Sequence, residues 1–248
     1  MPQSFTTRLP RLAGEFFVIV IGVVVALGVD SWVKDRTDRT LEREYLERLL
    51  DDARYDIREI AFIDSIGRVG LDASSRLTAS GGVDDLDGSL LVGLVLAAAA
   101  ERQPDLSRGT YNELLSSGRI DLIRAQEVRV ALAAYDRVIL ETQGVWTNMS
   151  PGLRNWAFSR IPIPVWELRN YACTERDGSW MYRVPTLCDF DMQGWSVTEL
   201  RSEVHQPDAQ RSLLLATHRF RTGLEVTRQL SAVAEELSES LESALSGS

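Results

Sequence analysis

Hydrophobic positions fall along this chain in three successive regimes. From Phe16 to Val29 the run FFVIVIGVVVALGV carries no charge, and residues 12–33 are interrupted only by Glu15 and Asp30. A helix rises about 1.5 Å per residue, so a run of this length crosses the ~30 Å hydrocarbon layer and leaves both carboxylates near the interfaces. On insertion scales each Val, Ile, Leu or Phe contributes about −0.3 to −0.6 kcal/mol, against about +2.5 to +3.5 kcal/mol for an Asp at the bilayer centre. The apolar residues therefore outweigh one carboxylate at an edge. The run leads into Asp30-Ser31-Trp32-Val33-Lys34 without a small-x-small cleavage site, which is the pattern of an uncleaved anchor and not of a signal peptide. Trp32, with its amphipathic ring, suits an interfacial anchor.

In the second regime the period changes. Residues 37–66 contain no Pro or Gly, and Leu46, Leu49, Leu50, Ala53, Ile57, Ile60, Ala61 and Ile63 recur at steps of three and four, with acids and arginines assigned to the other side. This predicts an amphipathic helix that continues the membrane helix as a stalk and is loosened at Gly67 and Gly70. After a turn-rich loop at 80–89, Leu90 to Ala100 is almost wholly apolar; too short to span a bilayer, it predicts a helix buried on all sides. A short helix is expected over 110–117, stopped by Gly118, and a longer one from about Ala125 to Gly144.

The third regime is irregular, then helical again. Trp146, Trp156, Trp166, Trp180 and Trp195 cluster with IPIPVW at 161–166, and a small hairpin is expected around Asp177-Gly178. Ser196-Val197-Thr198-Glu199 spells a capping box, and Pro207-Asp208 opens a last helix to about Leu245 with the stripe Phe220, Leu224, Val226, Leu230, Val233, Leu237 and Leu241. The expected fold is mainly α: a single N-terminal transmembrane helix continuing into a helical-bundle extramembrane domain. Its parts are a short basic tail (1–11), the membrane helix (12–33) and the helical domain (34–248), with an irregular Trp/Pro/Cys segment at 161–195.

Charge and cysteine usage narrow the class. With 36 acidic and 27 basic side chains the formal charge is −9, and no basic face that would neutralise phosphates is visible, so nucleic acid is set aside as a partner. Counted by Lys and Arg alone, Lys34, Arg36, Arg39, Arg43 and Arg48 on the far flank would place the domain in the cytoplasm. Long domains translocate largely regardless of charge, however, and the tail with Arg8 and Arg11 is net positive and the flank net neutral, so a cytoplasmic N-terminus and a periplasmic domain are expected. In that compartment Cys173 and Cys188 are candidates for a disulfide; the bland alternative is two buried thiols.

Several positions resemble a bacterial family of single-span membrane proteins built on an uncharacterised conserved domain. They are Gly14-Glu15, Ile21-Gly22-Val23, Ala26-Leu27, Asp30, Trp32 and Tyr45-Leu46, followed by Thr110-Tyr111-Asn112-Glu113-Leu114, Ser117-Gly118 and Leu122-Ile123. The resemblance covers roughly 10–140 and implies the architecture and a place in the bacterial inner membrane. It carries no activity, and the Trp-rich segment departs from it.

Chemical motifs are scarce. His205 and His218 are the only histidines, and no HExxH, CxxC, P-loop, GxGxxG or Gly-x-Ser-x-Gly occurs, so neither a metal nor a cofactor is expected and the chain reads as non-catalytic. Gly22 and Ala26, four apart with Asp30 close to the same face, allow another helix to approach within lipid, although small residues are common in spans. Trp166, Trp180 and Trp195 are candidate partner-binding anchors, and the competing role is core filling. The expectation is an accessory subunit docked on other membrane-protein subunits of a respiratory, photosynthetic or transport complex. The alternative is a self-associating scaffold or sensor, a homo-oligomer joined through a coiled-coil stalk.

Overall fold

The computed structural model describes residues 9–79, 81–147, 152–176, 183–185 and 187–247; the side chains of 9–15, 18, 19, 146, 147, 174–176 and 183–185 are outside the described set. The chain is mainly helical. Helix α1 runs Leu9–Thr78 without interruption, a length of about 105 Å at 1.5 Å per residue. Among the described residues no helix is long and apolar enough to cross a membrane. The segment expected to do so, 12–33, includes side chains at 12–15, 18 and 19 that lie outside the described residues.

Helices α2 (Gly88–Ala98), α3 (Gly109–Ser116) and α4 (Gln126–Thr147) follow, then α5 (Gly152–Arg160), α6 (Ile163–Ala172), α7 (Thr198–Val204) and α8 (Pro207–Gly247). Strands β1 (Thr174–Arg176) and β2 (Arg183–Pro185) pair antiparallel with Thr174 opposite Pro185. The expected turn at Asp177-Gly178, and Trp180 with it, lies outside the described residues.

Helix α8 returns along α1 antiparallel. Arg54 pairs with Glu242 at 2.9 Å, Thr227 donates to Asp64 at 3.1 Å, and Gln210 donates to the Leu77 carbonyl at 3.2 Å, so α8 descends as α1 climbs. Their shared length holds two cores. The lower joins Tyr45 to Ile66 of α1 with Leu114, Ile123, Val128 and Leu132 and the C-terminal half of α8. The upper joins Ala73 and Leu77 with α2, α5, α7 and Leu213 to Phe220 of α8.

Four expectations change. Gly67 and Gly70 do not loosen α1; they sit where α8 comes closest, and a Cβ on Gly70 would lie 2.7 Å from Cε2 of Phe220 and nearer still to Cζ. The expected irregular segment 161–195 contains α6, because Pro164 occupies the first turn, where a missing N–H costs nothing. The capping box does not form: α7 starts at Thr198 with Val197 as its N-cap, and the Ser196 hydroxyl meets that of Thr198 at 2.9 Å. The acids of α1 are not all on its outer side, since Asp56 and Glu59 are buried and Ala61 is exposed.

The apolar 90–100 stretch is the buried helix its composition implies. Asp87 caps α2 by accepting from the Ser89 N–H at 2.8 Å, and Ser89, Leu91 to Ala98 and Ala99 are buried. The segment 187–197 covers its outer side, with Leu187 against Gly93 and Met192 and Val197 against Gly88. Arg201 of α7 donates to the carbonyls of Asp84 and Leu86 at 2.8 and 2.7 Å and to that of Val83, fastening the loop before α2.

The α1–α8 contact at Gly70 yields a direct prediction. Gly70→Ala gains up to ~1 kcal/mol of helix propensity but overpacks Phe220 at a cost of about 1–3 kcal/mol, so the net effect is destabilising. The thermal midpoint of the purified protein falls for Gly70→Ala and recovers in Gly70→Ala/Phe220→Leu; a single variant as stable as wild type would contradict the packing.

Candidate functional site

Two regions of α1 depart from an ordinary bundle: its apolar lower third and a polar pocket at its middle. Between Phe16 and Val33 the large apolar side chains described are 40–69 % exposed, and among the described residues no other element covers them. Gly22, Ala26 and Asp30 lie on this open stretch at successive four-residue steps, with nothing within 4 Å of a Cβ placed on Gly22. Trp32 is exposed just above, with the Arg36 guanidinium 5.8 Å from its ring centroid.

The other candidate residues are placed differently. Trp166 and Trp195 are half-buried against the upper core along with Trp156, and Phe158 meets Trp166 edge-on at 5.7 Å. These rings therefore serve core packing at least in part. Cys173, at the end of α6, is bonded to Cys188, with Cα atoms 5.4 Å apart. The bridge ties the α6–hairpin unit to the segment covering α2. Neither histidine lies in a cluster of ligands, and among the described residues no three His, Cys, Asp or Glu side chains are gathered to hold a metal.

The polar pocket was not visible in the sequence pattern. Asp56 is 0 % exposed; its Oδ1 accepts the Ser107 N–H at 2.7 Å, and its Oδ2 accepts the Tyr135 hydroxyl at 2.7 Å. Glu59, 2 % exposed and one turn on, accepts the Asp105 N–H at 3.3 Å and lies 3.8 Å from the Arg102 guanidinium. Together they hold the extended crossover from α2 to α3, whose backbone donors have no helix or sheet to satisfy them. Arg108 pairs with Asp136 beside them.

Burial pushes the Asp56 carboxyl up to about 6, with Asp52 and Glu59 adding to the rise against the hydrogen bonds from Ser107 and Tyr135. The Tyr135 hydroxyl is raised by burial and by the Asp56 charge, and the Tyr111 hydroxyl by burial and by Asp136. The space left between Asp56, Tyr111, Tyr135 and Asp136 is about 20 Å³. That holds about one water molecule, so the arrangement is a polar clamp on the crossover, in which the buried Arg108 Nε is the donor left without a protein partner.

Below it, the two separate stretches of the sequence resemblance meet. The Tyr45 hydroxyl donates to Glu113 at 2.8 Å, Arg48 pairs with the same carboxylate at 2.6 Å, and Leu46, Leu114 and Ile123 share the lower core. These hydrogen bonds hold the Glu113 carboxyl below its usual range. Gly118, at φ +66°, lets the chain turn so that the Arg119 N–H reaches the Leu114 carbonyl at 2.9 Å. Arg124 then bonds back to the base of α1, its guanidinium to Asp35 and its N–H to Glu42, each at 2.6 Å. No family model matches the chain, and no curated protein or solved structure matches it.

Asp56 sets a pH dependence of stability. Its native carboxyl holds a proton to about pH 6, whereas an unperturbed one releases it near 3.8. The stability this proton confers is complete below the lower value and lost as pH rises through the upper, about 3 kcal/mol in all at ~1.36 kcal/mol per unit. Asp56→Asn keeps an acceptor and cannot ionise. The thermal midpoint of wild type therefore falls relative to Asp56→Asn between pH 4 and 7; parallel pH profiles would refute the assignment.

Proposed function

We propose that this chain is a non-catalytic, membrane-anchored accessory subunit: residues 12–33 lie in the bacterial inner membrane, and the face of Gly22, Ala26 and Asp30 docks on a helix of a larger assembly. The observation that carries this reading is the uncovered apolar surface from Phe16 to Val33 on a helix that is otherwise buried along one side. Burying a Val, Leu, Ile or Phe side chain is worth about 1.5–3 kcal/mol. Leaving so many exposed to water costs on the order of 10 kcal/mol, as much as a whole domain is commonly stable by. A lipid environment removes that cost. Once inside lipid, the small side chains allow close helix approach, and Asp30 at the edge can accept a hydrogen bond from a neighbour.

The disulfide supports a periplasmic domain, because such bonds persist in oxidising compartments. The intramolecular cover of the stalk favours a subunit over a coiled-coil homo-oligomer: Leu46, Leu49, Leu50, Ala53, Ile60 and Ile63 face the same chain's α4 and α8 within the lower core. Among the described residues the longest run of exposed large apolar side chains is the one from Phe16 to Val33.

The test is extraction followed by native electrophoresis. In membranes washed with alkaline carbonate the protein stays in the pellet, and in gentle detergent it migrates well above its 27.7 kDa mass. Gly22→Leu/Ala26→Leu keeps the protein in the pellet but returns it to the free position. Release into the wash overturns the anchor, and a wild-type protein that migrates alone overturns the docking.

A further inference from the structure

The bundle does not stand away from the expected bilayer edge. Arg124, two residues before α4, reaches Asp35, two residues above Val33, while α8 ends at Gly247 near the level of Leu46. Beneath the end of α8 this leaves an open groove of about 640 Å³, whose walls include Arg36, Arg39 and Arg43 of α1 and Arg124, with Glu42 as the acid among them.

The three arginines on α1 are spaced by three and four, so they line one side of that helix. Their guanidiniums are not equally engaged. Arg39 and Arg124 share Asp35, Arg124 also faces Glu42 at 3.5 Å, and Arg43 pairs outward with Glu47 at 3.0 Å. Among the described residues no carboxylate pairs with Arg36; it rests against Trp32. The negative end of α8 and Glu42 disfavour an anion on the far side of the groove, leaving the Arg36 side as its electropositive wall.

Height fixes the ligand class. Arg36 lies three residues above Val33, about 5 Å along the helix, within the roughly 5–8 Å headgroup layer that flanks the hydrocarbon. A guanidinium at that level, with donors in a planar fork and its cationic face against an indole, is built to pair bidentately with a phosphate. We infer that this groove is a binding site for the phosphate headgroup of an anionic phospholipid, held by Arg36 with support from Arg39 and Arg43. The inference rests on the membrane reading given above and adds a lipid-specific site to it.

Native mass spectrometry of the full-length protein in detergent, titrated with phosphatidylglycerol, phosphatidylcholine of the same chains, or inorganic phosphate, tests it. Wild type binds phosphatidylglycerol about 25-fold more tightly than phosphatidylcholine, a factor of about five for each of two cations, Arg36 and Arg43, at an anionic surface. Arg36→Gln lowers that preference about fivefold, Arg36→Gln/Arg43→Gln abolishes it, Arg36→Lys retains part of it, and Arg137→Gln, on the exposed side of α4, leaves it unchanged. Equal binding of the two lipids, or a double variant that keeps the wild-type preference, overturns the site. Inorganic phosphate competing as well as the lipid overturns the lipid as its source. Carbonate washing of the membranes from which each protein is extracted separates the failures: a protein retained in the pellet without lipid preference refutes the headgroup site alone, whereas a released protein refutes the anchor and the site with it.

Discussion

One helix has to satisfy two surroundings, and the rest of the molecule is arranged around that demand. Over Leu9–Thr78 the backbone of α1 meets its own hydrogen bonds, so its path does not depend on what lies beside it. Its side chains do depend on it. Between Phe16 and Val33 those described are apolar apart from Asp30 and Ser31 and are uncovered by any other described element; above Tyr45 they are apolar on the side where α8 packs antiparallel. The close approach at Gly70 and Phe220 sits between the two cores, where larger residues on α1 would separate the helices and open both.

Long elements were legible because they repeat one local rule many times. The stripe of α8, the apolar completeness of α2 and the stop at Gly118 each follow from periodicity or backbone freedom, which a single sequence displays. The misses have one physical origin: a local preference whose meaning depends on a distant partner. Gly67 and Gly70 weaken an isolated helix, yet here they admit Leu224 and Phe220 from a helix some 150 positions away. Ile-Pro-Ile-Pro breaks a helix in its middle and starts one at its first turn, and Val165, Arg169 and the rest of the buried face of α6 decide which applies. Ser196 could have capped a helix beginning one residue earlier.

The polar clamp was hidden for a related reason. Asp56 and Glu59 sit among charged residues of an amphipathic helix, where carboxylates are normally solvated. They are buried because the crossover from α2 to α3 lies over them and brings unsatisfied N–H groups at Asp105 and Ser107. Nothing in the composition of 100–108 announces where that segment will lie. Gly22, Ala26, Asp30 and Trp32 differ in kind: no other described element of the chain covers them, so the role proposed for them rests on local character and position along α1 alone.

Cohesion is graded along α1 as a consequence. The lower core is built from three long helices, each extending well past the length at which packing cooperates across many turns, and is closed at its base by Tyr45, Arg48, Glu113 and Arg124. The upper core gathers helices of 7–11 residues, lengths at which an isolated helix is marginal in water. Those pieces persist because α2 offers an apolar surface on all sides for them to cover, and because the Asp87 cap, the Arg201 contacts and the Cys173–Cys188 bond restrict how far each can depart. The disulfide is the one of these three that neither salt nor pH weakens, and it ties down the segment lying over α2. The end of the molecule farthest from the uncovered apolar helix therefore depends on a covalent bond where the near end depends on continuous helix packing.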